Sequence, residues 1–468
     1  MKNKFGVIVT SRGIFPEHLV KQAREEIQEA LARKGIGCVM LPFEETPNGA
    51  VQTFEDAQKC AALFRQHAKD ITGILISLPN FGEEAPVYTA VRQSGLNVPI
   101  LIQAYDDRDD ALSIDERRDS FCGKLSVCNN LYYAGIKFTG TTLHTCMVTS
   151  EEFAEDLEYF SRVCMVVHSM RHARIGLLGM RPDGFRTVRF SEKILQNNGI
   201  TTCVADLSEI IAAASRVTDK EQIAQVKKAI KAYGKIGQSV AEEKIELQAK
   251  LILAVRRWLA DNQCDAYAMQ CWNSLEFNYG CAACLSMSML GEDGIPGACE
   301  SDVMGAVTML ALNRAAGMPS AYMDWNNNFT EDRDVCINQH CGNFPKSFFG
   351  GEIEISYLDV LAKSIEPERC FGACKAQTAP GDMTFCKVTT DDNQGCIKAY
   401  FGEGELLGTP VPSFGALSLW KVPQLQKLLS YLCQNGFEHH VAVVRGNCGR
   451  VLEEAFGKYM GWQIYKHG

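Results

Sequence analysis

The sequence predicts an α/β fold: two Rossmann-like, doubly wound parallel-sheet domains followed by a β-rich, barrel-like C-terminal domain. Two observations predict the first part. Short apolar runs alternate with amphipathic helical stretches from the N-terminus, and the same alternation restarts near Arg174. A third observation predicts the second part: beyond about residue 330 turn residues multiply and strands shorten. The expected domains are 1–168, 169–330 and 331–468.

In the first domain Phe5-Gly6-Val7-Ile8-Val9 reads as a buried strand. A helix pattern follows from about Pro16 to Lys34, with Leu19, Ala23, Ile27 and Leu31 on one face. Gly35 stops it, and Cys38 to Leu41 is the next strand. A helix to about Ala68, the run Gly73 to Leu78, another helix and Val98 to Ile102 complete a series of β-α units. Such a series implies a parallel sheet covered on both faces. In the second domain strands are expected at Ile175–Gly179, Thr202–Asp206, Asp265–Gln270, Gly297–Cys299 and Ser320–Asp324. Helices are expected at 191–198, along 220–262, and at 276–290. In the third, Asp382 to Thr389 and Cys396 to Phe401 flank Asp391-Asp392-Asn393-Gln394-Gly395, a hairpin signature. Helix 422–435, strand Val441–Val444 and helix 449–459 close the chain.

Composition narrows the function. The 468 residues include 47 Lys+Arg against 56 Asp+Glu, a formal net charge of −9. That balance argues against a broad nucleic-acid or anionic-membrane surface. With 46% hydrophobic and 22% charged residues, the chain is expected to be globular. GVIV is too short for a signal core and no run approaches ~20 apolar residues, so a cytoplasmic protein is expected. Its 20 cysteines then read as thiols, many of them in apolar runs such as those of Cys38, Cys164, Cys203 and Cys386.

Gly176-x-x-Gly179 lacks the spacing of a dinucleotide fingerprint and reads as a strand-to-loop turn. Cys281-Ala282-Ala283-Cys284 has no second pair at zinc spacing and reads as helix packing. The informative acids are Glu276, after Gln270-Cys271-Trp272, and Asp302, after Cys299-Glu300-Ser301. Each follows a predicted strand of an α/β domain, where ligands bind. Either acid alone reads equally well as a helix cap. Two at equivalent points, with Trp272 and Gln270 beside one, favour a shared site. Adjacent His439 and His440 precede a buried strand, so one of them faces a given pocket. Imidazole with two carboxylates suits an open site for Mn²⁺, Mg²⁺ or another divalent ion.

These segments, with Gly305-Ala306-Val307, Glu438-His439-His440-Val441-Ala442-Val443, Asp324-Trp325-Asn326-Asn327-Asn328 and His340-Cys341-Gly342-Asn343-Phe344-Pro345, resemble the L-fucose isomerase / L-arabinose isomerase superfamily in its shorter, fucose-isomerase-like form. The resemblance implies an aldose–ketose isomerase using Mn²⁺ or another divalent cation, with Glu276, Asp302 and His440 or His439 as ligands. It implies a homo-oligomer, a hexamer, in which Arg12 of a neighbouring subunit reaches the sugar. Arg12 reads equally well as a solvated loop charge. The short form with this cysteine usage is similar to sulfoquinovose isomerases, which convert a 6-sulfonated glucose to the 6-sulfonated fructose. A sulfonate needs fixed cations, for which Arg12, Lys346 and the Arg171-His172 pair are candidates. Gln270, Trp272 and Asn343 are the further substrate-binding candidates.

In this reading Glu276 is the base and Asp302 the acid protonating O1 or O2, while a hydride shift remains the other route. The competing substrates are neutral aldoses such as L-fucose or D-arabinose. The competing functions are a cytosolic sugar-binding protein without catalysis and an NAD-dependent enzyme, the latter weakened by the missing glycine fingerprint. The other partners expected are none: no nucleic acid and no membrane.

Overall fold

The computed structural model describes residues 3–238 and 240–468. The chain divides into two compact units, Met1–His168 with Lys458–Met460, and Ser169–Gly457 with Gly461–Gly468.

The first unit holds a five-stranded parallel sheet in the order Gly37–Met40, Lys4–Val9, Gly73–Leu78, Ile100–Ala104, Thr139–Gly140. Its central strands Gly73–Leu78 and Ile100–Ala104 are buried along their whole length. Uninterrupted apolar runs do this because helices cover both faces of the sheet. The helix His18–Arg33 turns Leu19, Val20, Ala23, Ile27 and Leu31 inward. Thr53 caps the helix Phe54–Gln66 in a reciprocal box with Asp56, which satisfies two backbone N–H groups. The expected strands of this unit all form. Thr139–Gly140 is too short to be read from pattern alone.

The second unit contains a four-stranded parallel sheet in the order Gly297–Ala298, Ala266–Met269, Arg174–Leu178, Thr201–Ala205. It also contains a ten-stranded mixed sheet. Within that sheet Cys396–Leu407, Gly381–Asp391, His440–Arg445, Ser320–Asn328, Val335–His340 and Ala416–Lys421 are neighbours in that order. The last of these pairs back onto the first, Glu405 opposite Lys421, and closes the ring into a barrel. The expected hairpin forms, with Asp391 opposite Cys396 at its tip.

Three expectations are corrected. Ser320–Asn328 does not close the parallel sheet: it is antiparallel to His440–Arg445 and Val335–His340 and is a stave of the barrel. A six-residue connection favours antiparallel neighbours over a crossover. The helical stretch 220–262 is two helices, Lys220–Tyr233 and Glu242–Asp261, separated by the strand Lys235–Ile236. The helix expected at 276–290 is two short pieces, Ser274–Asn278 and Cys284–Glu292, broken where Gly280 takes a φ of 91°.

Two glycines test the packing of the first unit. Gly123 lies in the helix Ser120–Tyr133, and a β-carbon there would overlap the carbonyl of Phe81. Gly135 has open space around it but a φ of 70°. Gly123→Ala should therefore cost on the order of 3 kcal/mol and Gly135→Ala about 1 kcal/mol. Denaturant unfolding followed by tryptophan-free far-UV dichroism checks the order, and the reverse order would reject the contact.

Candidate active site

The carboxyl ends of the parallel strands face one end of the barrel within the second unit. From the parallel sheet, Gly297–Ala298 runs into a turn in which Glu300 and Ser301 both have a φ of 58°. That left-handed pair is costly for non-glycine residues and marks a turn held by its surroundings. It delivers Asp302 as N-cap of the helix Val303–Ala316, whose inward face is almost wholly apolar. Ala266–Met269 runs into the short helix Ser274–Asn278 and delivers Glu276. From the barrel come Tyr322 and Asp324, His340, Lys387 and His440, on four different staves. Asp324 stands opposite His440 in register.

Asp302 is fully buried and its oxygens are taken by donors. Oδ1 accepts from the Gly305 N–H at 2.7 Å. Oδ2 accepts from Lys387 Nζ at 2.6 Å, from the Tyr322 hydroxyl, and lies 3.1 Å from His440 Nδ1. Burial pushes the Asp302 carboxyl up, but the charge of Lys387 and the imidazole of His440 outweigh it and hold it well below the usual carboxylate range. These partners favour the ionised form of Asp302, a state suited to orienting His440 rather than to the proton-donor role expected of it.

His440 carries the other half of the arrangement. Its Nδ1 is engaged by Asp302, so its Nε2 points at Glu300 Oε2, 2.9 Å away, and at Asp324 Oδ1, 3.4 Å away. Neither contact has hydrogen-bond geometry, and Nε2 and both oxygens are buried without a partner. The same holds for His340 Nδ1. Ligand atoms of Glu300, His340 and His440 lie within 4.8 Å of one another, as do those of Asp324, His439 and His440. Buried lone pairs converging without donors are what a hard divalent cation satisfies. Burial pushes the imidazole of His440 down, yet Asp302 and Glu300 more than offset it and set its pKa at about 9. A proton thus sits where a cation would otherwise balance the two carboxylates, and the two compete. His439, at the edge of the cluster, is exposed, and its imidazole is pushed down by desolvation and by the neighbouring His440.

Glu276 is buried and neither of its oxygens has a hydrogen-bond partner. Burial alone pushes its pKa up to about 8. It is not among the clustered ligand atoms, and its neighbours include the thiols Cys281 and Cys370, whose pKa values burial pushes up. Trp272, in the loop before it, packs on the apolar cluster of Ala282, Cys284 and Cys370 and against the ring of Phe185, 5.4 Å between centroids. Phe185 also reaches His439, at 6.1 Å.

The other expected site residues spread out. Asn343 is buried with its amide unpartnered, as a sugar-binding amide would be. Gln270 accepts from Met180 N–H and donates to the Trp272 carbonyl and Ser274 hydroxyl, so its amide is used in holding that loop. Lys346 is exposed, donates to the Ala232 carbonyl and lies over the Tyr233 ring. Arg12, in the first unit, is ion-paired to Glu83 at 3.2 Å and Glu84 at 3.0 Å and stacks on Phe81. Its charge is already matched. Glu300, Asp324, His340, Tyr322 and Lys387 carried no role in the sequence reading. Lys387 had the best signal, a lone cation in the apolar run Met383 to Val388.

Parallel sheet ends and a barrel mouth that share a buried carboxylate–imidazole cluster define a protein able to hold a divalent cation. The comparisons make the class specific. A model of the fucose/sulfoquinovose isomerase N-terminal domain matches residues 6–171, and one of the L-fucose isomerase C-terminal domain matches residues 338–467. The chain belongs to this fucose isomerase-like family. It is similar to the sulfoquinovose isomerase of Priestia megaterium, 26% identical over 297 residues, covering 62% of this chain and 64% of the relative. The sulfoquinovose isomerase of Alkalicoccus urumqiensis is 24% identical over 304 residues, covering 64% and 66%. That of Clostridium sp. (strain MSTE9) is 25% identical over 300 residues, covering 64% and 65%. Each match spans a little less than two thirds of the relative's own length. No helix among the described residues is long and apolar enough to cross a membrane.

Two measurements follow from the buried charges. Lys387→Met leaves Asp302 buried without its cation and should cost about 3–5 kcal/mol. The double variant Lys387→Met/Asp302→Asn should cost clearly less than the sum of the single changes, and simple additivity would deny the pair. Glu276 gives a pH dependence. Its carboxyl ionises near 4.5 when exposed and near 8 here, so the unfolded chain releases the proton first. Metal-free stability should then fall as pH rises from about 4.5 to about 8, by up to about 5 kcal/mol. Glu276→Gln should flatten that slope in chelator-treated protein. An unchanged slope would show that Glu276 is not the group responsible.

Proposed function

We propose that this chain is a metal-dependent aldose–ketose isomerase whose substrate is sulfoquinovose, converted to 6-deoxy-6-sulfofructose. The observation that carries the reaction type is the convergence of unpartnered carboxylate and imidazole atoms at the mouth of the barrel. The family membership supports the same reaction type, and the relatives' names support the sugar. The proposed ligands are His440 through Nε2 and the carboxylate of Glu300, whose atoms converge, together with Glu276, which lies outside that cluster and is carried as a ligand by the family likeness alone. Asp302, expected as a ligand, is assigned in this geometry to holding His440 through Nδ1. The cation proposed is Mn²⁺ or another hard divalent ion. When bound, it supplies Lewis-acid polarisation of the sugar's O1 and O2, worth several kcal/mol.

The residues then divide the labour by environment. Asp302, kept ionised, fixes the tautomer and ring plane of His440. Lys387 and Tyr322 lock Asp302 in turn. Glu276, whose carboxyl burial pushes up in the metal-free protein, would take the proton from C2 and return it at C1, while the O2 hydroxyl proton passes to O1 to complete the ketose. Trp272 and Phe185 form an apolar wall that excludes water from the proton in transit. Asn343, with a free amide, is the proposed hydrogen-bonding group for a sugar hydroxyl. For Arg12 to serve a neighbouring subunit's sugar, it must first leave Glu83 and Glu84. The proposed homo-oligomer, a hexamer, rests on the family likeness, and light scattering of a clean ~50 kDa monomer would remove it.

The test is an aldose panel with Mn²⁺ read by ketose formation. Chelation should abolish turnover and Mn²⁺ restore it, whereas a binding protein would show no turnover in either state. His440→Ala and Glu276→Gln should lose bound metal and at least ~10³-fold of activity, while His439→Ala keeps its metal. Turnover of L-fucose or D-arabinose with none of sulfoquinovose would replace the substrate and leave the reaction. No ketose from any sugar would remove the isomerase reading.

A further inference from the structure

A sulfonate is a permanent anion, and the cation nearest in expectation, Arg12, is already matched by two carboxylates. The second unit supplies others. The segment after the strand Arg174–Leu178 carries Arg181, Arg186 and Arg189 around a short turn at Arg186–Val188. Phe185, the residue before that turn, is pinned between Trp272 and His439. Arg186 therefore stands one residue from a ring that touches the rim of the candidate metal cluster.

Arg186 and Arg189 line a polar cavity of about 1000 Å³. Thr389 and Glu438, the residue directly before His439, also line it. Glu438 is buried, receives the Thr389 hydroxyl on Oε1 and leaves Oε2 without a partner. Across the cavity Asp391 is ion-paired to Lys398 at 2.9 Å, and Asp392 stands exposed at the hairpin turn. Among the described residues, the guanidinium of Arg186 has neither an ion pair nor a hydrogen bond, and Arg189 donates only to the Arg186 carbonyl. The second cavity near the cluster, about 420 Å³, is walled by Leu429, Leu432 and Phe437 and has Arg333 as its cation.

We infer that Arg186, supported by Arg189, is the seat of the substrate's terminal sulfonate. This rests on the reading of the chain as a sulfonated-aldose isomerase. In this reading the sugar spans from the cluster to the two arginines by way of Glu438, which lines the cavity two residues before His440 and would accept a sugar hydroxyl on Oε2. A guanidinium fork matches two sulfonate oxygens at once, which an ammonium cannot do. The cavity volume lies in the range of small-molecule sites. Arg186 is thus a specificity residue: it binds the end of the sugar that does not react, and the metal cluster is left to the end that does.

The experiment compares sulfoquinovose with D-glucose, which differs at C6, in the Mn²⁺-loaded enzyme. Arg186→Ala should raise KM for sulfoquinovose by 30- to 300-fold with kcat within about threefold, and leave D-glucose kcat/KM within twofold. Arg186→Lys should recover part of the loss, and Arg333→Ala should change neither sugar. Where D-glucose is too slow to follow, the KM rise at steady kcat and its partial recovery in Arg186→Lys decide the matter. A wild type that isomerises sulfoquinovose while Arg186→Ala keeps its KM overturns the seat alone. Loss in Arg333→Ala instead moves the seat to the smaller cavity and likewise overturns it. Parallel loss for both sugars makes Arg186 structural. A wild type that converts only neutral aldoses overturns the substrate reading and the seat together.

Discussion

Asp302 is the point on which the second unit turns. Its Oδ1 caps the helix Val303–Ala316, and its Oδ2 gathers Lys387, Tyr322 and His440 from three staves of the barrel. One carboxylate thus ties the parallel sheet's last turn to the barrel. Burying a carboxylate and an ammonium costs several kcal/mol each in desolvation, and their attraction only offsets this when every lone pair is satisfied. Here every one is. The cluster adds little net stability over an apolar equivalent, but it permits few alternative geometries. The left-handed pair Glu300-Ser301 shows the same constraint on the backbone. A turn strained in this way persists because Asp302 is anchored on one side and Ser301 N–H bonds the Met269 carbonyl on the other.

Anchoring Asp302 has a consequence one bond further out. Because Nδ1 of His440 is spoken for, Nε2 is the nitrogen presented to Glu300, Asp324 and His340. The ring cannot flip to offer the other nitrogen without breaking the buried bond. Preorganisation of this kind is what a metal centre needs from the residues behind its ligands. It also separates His440 from His439. The two rings lie 4.3 Å apart between centroids, but only His440, the first residue of the stave, is fully buried and held by Asp302, while His439 stands exposed at the cluster's edge.

Much of the fold was legible because each signal was local. Runs such as Gly73 to Leu78 declare a strand buried on both faces, and Asp391 to Gly395 declares a hairpin. The misplacement of Ser320–Asn328 has a different origin. Its first residues are as apolar as any parallel strand, and only its partners, Val335–His340 and His440–Arg445, assign it to the barrel. The site divides along the same line. Glu276, Asp302 and the two histidines were visible because each follows or precedes a strand in sequence. Glu300, Asp324, His340 and Lys387 become neighbours only when the barrel closes, and no spacing along the chain records that closure. Arg12 illustrates the converse: its loop position was read correctly, but Glu83 and Glu84, far away in sequence, decide how much charge it has to offer.

Glu276 and Asp302 began as equivalent carboxylates, each just beyond a parallel strand. The structure makes them opposites. Asp302 meets four donors and is held ionised, whereas Glu276 meets none and burial drives its pKa to about 8. A carboxylate that receives donors is a fixed charge and an orienting group; one that receives none must find a proton or a cation. In the proposed reaction, which moves a proton between adjacent carbons, the second kind is the one assigned to move it. The pairing of Lys387 with Asp302 rather than with Glu276 is therefore not incidental to the chemistry. Had Lys387 faced Glu276, the ionised acid would have been stabilised beyond use as a base, and His440 would have lost the partner that aims its Nε2.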